Sequence, residues 1–203
     1  MMNILFVSLG CDKNLVDSEV MLGLLAEKGY GFTDDEMEAD VIVVNTCCFI
    51  GDAKEESVNT ILEMAEHKKD AKCKALIVTG CMAQRYKQEI IDEIPEVDAV
   101  LGTTSYDHIV EAVEEALAGN GHVVLEDVDA LPDVKEKRLV TTGGHYAYMK
   151  IAEGCDKHCT YCIIPKLRGN YRSVPMEKLL AEAKDLADQG VKELILVAQE
   201  TTV

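Results

Sequence analysis

Cys155, Cys159 and Cys162 lie within eight residues of one another, with the spacing C-x3-C-x2-C. The thiolate is the form of cysteine that binds metal. Three thiolates from one loop can hold three irons of a cuboidal 4Fe–4S cluster and leave the fourth iron without a protein ligand. An open coordination position can chelate a substrate, as the open position of a catalytic zinc does. A structural zinc site usually has four ligands on paired C-x2-C or C-x4-C motifs. His158 would have to be the fourth here, and its place next to Cys159 aims it awkwardly. Three unconnected core thiols are the other alternative. The spacing favours the cluster.

Three further cysteines repeat one another's context. Cys11 lies just past the apolar run Asn3–Ser8, Cys47 just past Asp40–Asn45, and Cys81 just past Ala75–Thr79. If these runs are parallel strands, all three thiols stand at the carboxyl edge of one sheet, where open α/β sheets bind ligands. Gly10 and Gly80 precede two of them and let the backbone turn sharply. Cys11 and Cys81 also precede helical stretches, whose N-termini stabilise thiolate. A second three-thiolate cluster site follows; three separate buried thiols would need a coincidence of position. Cys73 falls at the amino end of its strand and is excluded. Cys48, beside Cys47, is read as pointing elsewhere.

The elements that must position these groups alternate along the chain. Strands are expected at 3–8, 40–45, 75–79 and 99–101, with a last edge strand at 122–125. Between them lie amphipathic stretches at 16–28, 52–68, 82–93 and 105–119. Asp52 with Glu55 reads as a capping box, and Ser105 as a cap. Such βαβα alternation predicts an α/β fold: a mostly parallel sheet with helices on both faces, over residues 1–125. Residues 126–145 are polar, contain Pro132 and end in Gly143–Gly144, which reads as a linker. A second unit starts with a strand at 146–151 that runs into the cysteine loop. A helix from Pro175 to Gly190 and a strand at 193–198 follow. One βα unit and one more strand cannot close a barrel. Residues 146–203 are therefore expected to be an incomplete domain, with more chain in the natural protein.

Composition bounds the rest. Of 203 residues, 48% are apolar and 28% charged, as in a folded globular protein. No apolar run approaches the ~20 residues of a membrane span, and the N-terminus has no signal-peptide pattern. A cytoplasmic protein without membrane contact is expected, and eight cysteines in a reducing compartment favour metal over disulfides. Residues 1–145 carry 29 Asp and Glu against 12 Lys and Arg, whereas 146–203 carry eight of each. An acidic unit repels phosphate backbones, so no direct nucleic-acid binding is expected of this segment. Lys157, Lys166, Arg168 and Arg172 form a local basic stretch with only Asp156 against them. It reads as a solvated loop, or as a contact for an acidic substrate or the cluster.

The loop Gly154–Gly169 (GCDKHCTYCIIPKLRG) resembles the radical S-adenosylmethionine superfamily, and the resemblance extends over the whole chain. With SLGCDKNLVDSE at 8–19, NTCCFIGDAKEES at 45–57 and GCMAQRY at 80–86, the chain is similar to the methylthiotransferases of that superfamily. Cys48 departs from the pattern, because a small non-cysteine residue is common there. The resemblance implies a partial (β/α) barrel after the first domain, two 4Fe–4S clusters and S-adenosylmethionine as cofactors. Cys155, Cys159 and Cys162 would hold one cluster, and Cys11, Cys47 and Cys81 the other. It also implies that Tyr161 packs beside the adenine (the alternative is a core tyrosine) and that Gln199 touches the methionine end. Reductive cleavage of the cofactor would give a radical that removes hydrogen from the β-carbon of an aspartate in a small-subunit ribosomal protein. Methylthiolation there, with flavodoxin or ferredoxin as electron donor, is the activity implied. The surrounds of Cys11 and Cys47 side with that branch. The alternatives are the same chemistry on a tRNA adenosine and a catalytically incomplete cluster-binding fragment.

Overall fold

The computed structural model describes residues 2–132 and 138–202. The first five strands are β1 (Asn3–Ser8), β2 (Gly31–Phe32), β3 (Val41–Thr46), β4 (Ala75–Gly80) and β5 (Ala99–Leu101). With β6 (His122–Val124) they form one six-stranded sheet in the order β2-β1-β3-β4-β5-β6, with every pair parallel. The helices are α1 (Asp12–Glu27), α2 (Gly51–Asp70), α3 (Cys81–Glu93) and α4 (Ile109–Leu117).

Strand alternation sends neighbouring residues to opposite faces. Ile4, Val41, Val43, Ala75, Ile77, Ala99 and Leu101 meet Met21 and Leu25 of α1 and Ile109, Ala112 and Val113 of α4. Leu5, Ile42, Val44, Leu76, Val78 and Val100 meet Ile61 and Met64 of α2 and Met82, Ala83 and Ile90 of α3. Both faces are covered, which is why β3 and β4 are buried at every position.

The second unit contains β7 (Tyr146–Lys150), β8 (Ala152–Glu153), α5 (Ile164–Arg168), β9 (Arg172–Ser173), α6 (Met176–Asp188) and β10 (Glu193–Val197). β7 and β10 pair in parallel around the α6 crossover. β8 and β9 pair antiparallel and bracket the cysteine loop.

Some local expectations differ from the structure. The first helix starts at Asp12 rather than 16, so Cys11 is its N-cap residue. Asp52 does not cap α2, whose N-cap is Ile50. The Ser105 hydroxyl caps no helix; it accepts the Glu126 N–H at 3.0 Å. Residues 126–132 and 138–145 hold no helix or strand. They are tied down all the same. Arg138, buried, pairs with Glu19 of α1 at 3.1 Å and with Glu182 of α6 at 2.8 Å. Asp129 accepts from the Asn170 N–H at 2.7 Å. Among the described residues no helix is long and apolar enough to cross a membrane.

Candidate functional site

The strand order brings the first three cysteines together. The chain runs outward from β1 to β2, then reverses to place β3 on the other side of β1. The crevice at such a reversal is where open α/β sheets bind ligands. Cys11 follows β1, Cys47 follows β3 and Cys81 follows β4, the three strands adjacent at that point. Gly10 (φ +95°) turns the chain over Cys47: a Cβ there would lie 2.8 Å from Cys47 Cβ and 3.2 Å from its sulfur. Gly80 (φ +92°) does the same over Asn45 and Thr46. Cys81 opens α3, so the positive ends of two helix dipoles face the thiols.

Asn14 fixes this corner. Buried completely, it donates to Leu9 O at 3.1 Å and Thr46 O at 3.0 Å, which locks its carboxamide. Its Oδ1 then has Cys11 Sγ at 4.0 Å and Cys81 Sγ at 3.9 Å. The Cys47 N–H donates to Ser57 Oγ at 3.0 Å, and that hydroxyl donates back to Cys47 O at 2.8 Å. Burial pushes the Cys81 thiol above its ordinary value, and Arg168 beside it works against that. Cys48 turns into the core and donates to Cys81 O at 3.2 Å; burial raises its thiol to about 11. Cys73 lies before β4 and donates to Ala75 O at 3.4 Å, away from the carboxyl edge.

The second triad is held by backbone. Gly154 (φ +76°) packs so closely that a Cβ would sit 1.9 Å from Asn170 O. Its N–H donates to Gln199 Oε1 at 3.0 Å, and Gln199 Nε2 donates to Glu153 Oε2 at 3.1 Å. Gln199, beyond the end of β10, thus tethers the start of the loop. The Cys155 N–H donates to Gly169 O at 3.1 Å, and the Cys162 N–H to Cys159 O at 2.9 Å. His158 is the one non-glycine residue with positive φ among the described residues (φ +47°), so the turn between Cys155 and Cys159 is a strained one. Cys159 is exposed, and Cys155 and Cys162 are partly so. Tyr161 is 90% exposed, so it is not a core tyrosine.

A residue whose role the sequence conceals joins the two regions. Arg168 belongs to the basic stretch that reads as a solvated loop, or as a contact for an acidic substrate or the cluster, and it is 3% exposed. The preceding residue, Leu167, packs into the core of the first unit, and Thr103 Oγ1 donates to Leu167 O at 2.8 Å. Arg168 therefore enters beneath the sheet edge. Its guanidinium donates to Asn14 Oδ1 and meets Asp17 Oδ2 at 2.8 Å and Glu153 Oε1 at 3.3 Å. Lys150 pairs with the same two carboxylates and lies 5.1 Å from the centre of the Tyr106 ring. The sequence signal for this is the spacing in α1, where 14 and 18 continue the stripe of Met21 and Leu25; in the structure Asn14, Asp17, Ser18 and Glu19 are all buried.

The donors suit iron–sulfur clusters. Among the described residues no group of three His, Cys, Asp or Glu is gathered as for a single metal ion. A cuboidal cluster binds each thiolate through a different iron. Two cysteine triads on separate supports offer donors of that kind.

A parallel α/β domain followed by a strand that feeds C-x3-C-x2-C defines a chain of the radical S-adenosylmethionine class. Residues 149–203 match the Radical SAM superfamily, and residues 3–102 match "Uncharacterized protein family UPF0004". The solved structure of OxsB, described as a cobalamin-dependent S-adenosylmethionine radical enzyme, shares the fold. Its TM-score is 0.53 at 12% identity, over 98% of this chain and 34% of that one.

Curated relatives carry the name ribosomal protein uS12 methylthiotransferase RimO. That of Lachnoclostridium phytofermentans is 69% identical over 202 residues, covering 100% of this chain and 46% of the relative. That of Desulforamulus reducens is 54% identical over 97% of this chain and 44% of the relative. That of Clostridioides difficile is 52% identical over 100% and 46%. The chain belongs to the radical S-adenosylmethionine methylthiotransferase family and corresponds to its N-terminal part. It spans about half the length of the curated relatives it matches. Membership in the superfamily implies S-adenosylmethionine and an iron–sulfur cluster.

Proposed function

We propose that the protein containing this chain methylthiolates the β-carbon of an aspartate in a small-subunit ribosomal protein. The observation that carries the reading is identity of 69% along the whole chain to a relative named as a methylthiotransferase of ribosomal protein uS12. In this reading Cys155, Cys159 and Cys162 hold one 4Fe–4S cluster and Cys11, Cys47 and Cys81 a second. When bound, the cluster and S-adenosylmethionine supply the one-electron chemistry that an unactivated C–H bond requires. The chain's own residues bind and orient. Gln199 holds the Gly154 turn, so the loop presents its thiols in one arrangement. In this reading the exposed Tyr161 covers the adenine, and Gln199 serves the methionine end through the loop it tethers. The N-termini of α1 and α3 turn the positive ends of their dipoles toward this corner. Flavodoxin or ferredoxin is the proposed electron source, and the cytoplasm the compartment.

Two measurements test this. Iron and sulfide analysis with Mössbauer spectroscopy on anaerobically prepared chain is expected to give two clusters, and one after Cys155, Cys159 and Cys162 are replaced by Ala. Retention of both clusters, or zinc in place of iron, defeats the site assignment. Cells lacking the gene are expected to lose the methylthio group from the small-subunit protein, read by mass spectrometry. Loss from tRNA adenosine instead would assign the alternative substrate.

A further inference from the structure

We infer that Arg168 is a positioning residue for the cluster of Cys11, Cys47 and Cys81, inserted from the neighbouring unit to set that cluster's charge balance. The inference rests on the proposal that these three thiols hold a cluster.

Geometry places the guanidinium on the sulfur corner. It donates to Asn14 Oδ1, the same atom that has Cys11 Sγ at 4.0 Å and Cys81 Sγ at 3.9 Å. Asn14 cannot swing away, because its Nδ2 is committed to Leu9 O and Thr46 O. Arg168 cannot withdraw either, since Leu167 is buried in the first unit's core. A guanidinium stays protonated at all accessible pH, so its charge is a fixed feature of the corner.

Charge counting shows what that cation faces. Asp17 and Glu153 lie on Arg168, and Lys150 lies on the same two carboxylates. Two cations and two anions balance. The four residues are all buried, so solvent screens them little. Any thiolate at Cys81 adds negative charge to a group already neutral. A fixed cation beside a cluster favours its reduced, more negative state and so raises its reduction potential; a fixed anion does the opposite. Arg168 and Asp17 should therefore pull the potential in opposite directions, with 2.8 Å between them. A role confined to holding the two units together has no such opposition of sign.

The test uses the chain with Cys155, Cys159 and Cys162 replaced by Ala, so that one cluster remains. Potential is read by titration with dithionite, which supplies one electron, and by EPR of the reduced cluster. Arg168→Gln is expected to make reduction at least tenfold less favourable, about 59 mV lower for one electron. Asp17→Asn is expected to shift it upward, and Arg168→Lys to stay within threefold of the parent. Iron and sulfide per chain should not change. Equal potentials in parent, Arg168→Gln and Asp17→Asn overturn the inference, as do shifts of the same sign. If Arg168→Gln does not fold, Asp17→Asn decides alone: an upward shift supports the inference, and no shift or a downward one overturns it. A parent chain without iron and sulfide overturns the cluster assignment itself, whereas a loaded parent whose variants do not shift overturns only the role of Arg168.

Discussion

Arg168 and Asp17 meet at 2.8 Å across the junction of two units 151 residues apart in sequence, with both side chains buried. Breaking a buried pair by removing one partner leaves an uncompensated charge and costs about 3–5 kcal/mol. Asp17→Ala leaves Glu153 as the only carboxylate among the described residues facing both Lys150 and Arg168. Its expected cost is of that size, measured by urea unfolding of the apo chain. A loss below about 1 kcal/mol would show that water enters the junction and screens the charges.

Glycine is required at 154 for a steric reason. The neighbour that an added Cβ would strike is backbone, Asn170 O at 1.9 Å, not the end of a flexible side chain. The strand β8 and its partner β9 would have to separate to admit it. Gly154→Ala is therefore expected to lose the Cys155–Cys159–Cys162 cluster while the first unit keeps its own. Iron per chain should fall by about half. Unchanged iron would mean that the loop reaches its binding arrangement by another path.

His108 offers a pH-dependent contact away from the cysteines. Its ring nitrogens lie 3.0 Å from Glu126 Oε1 and 3.3 Å from Glu111 Oε2, with Asp107 at 4.0 Å. Burial pushes the imidazole down, but the three carboxylates more than offset this and raise it above its ordinary value of 6.5. A raised folded-state pKa gives stability that is full below the unfolded value and is lost as pH rises through the folded one. NMR titration should place the His108 midpoint above 6.5. His108→Gln should flatten the fall in stability above that pH. A midpoint at or below 6.5 would remove these contacts from the solution structure.

The legible and hidden parts of this molecule divide along a physical line. Strands β1, β3 and β4 are uninterrupted apolar runs with cysteine just beyond each. Both the sheet and the convergence of Cys11, Cys47 and Cys81 could be read from local pattern. The order β2-β1-β3 could not, because nothing local distinguishes the neighbours of a parallel strand. The docking of α5 was hidden for the same reason. Lys166 and Arg168 look alike in sequence, and only the burial of Leu167 in a distant core turns one of them inward. Asp17 and Glu19 are charged residues within an amphipathic stretch. They are buried because each meets a cation from beyond residue 137, Arg168 and Arg138 respectively. The five-residue helix α5 and the two-residue strands β8 and β9 are too short to leave a period.

Tyr161 and Gln199 separate binding from support. Tyr161 is 90% exposed, so Tyr161→Ala should change unfolding stability by no more than about 0.5 kcal/mol. If the ring stacks on the adenine, the contact is worth about 0.5–1.5 kcal/mol. Affinity of the reconstituted chain for S-adenosylmethionine, read by equilibrium dialysis, should then fall about two- to tenfold. Tyr161→Phe should retain it, since the ring face persists. Gln199 is different, because both ends of its amide are engaged, at 3.0 Å by Gly154 N–H and at 3.1 Å by Glu153 Oε2. Gln199→Ala leaves that amide N–H without its partner, which costs about 1–3 kcal/mol when buried. Faster hydrogen exchange at Gly154 and Cys155 should accompany it. Equal losses of affinity in Tyr161→Ala and Tyr161→Phe would exclude ring stacking, and unchanged exchange in Gln199→Ala would exclude the tether.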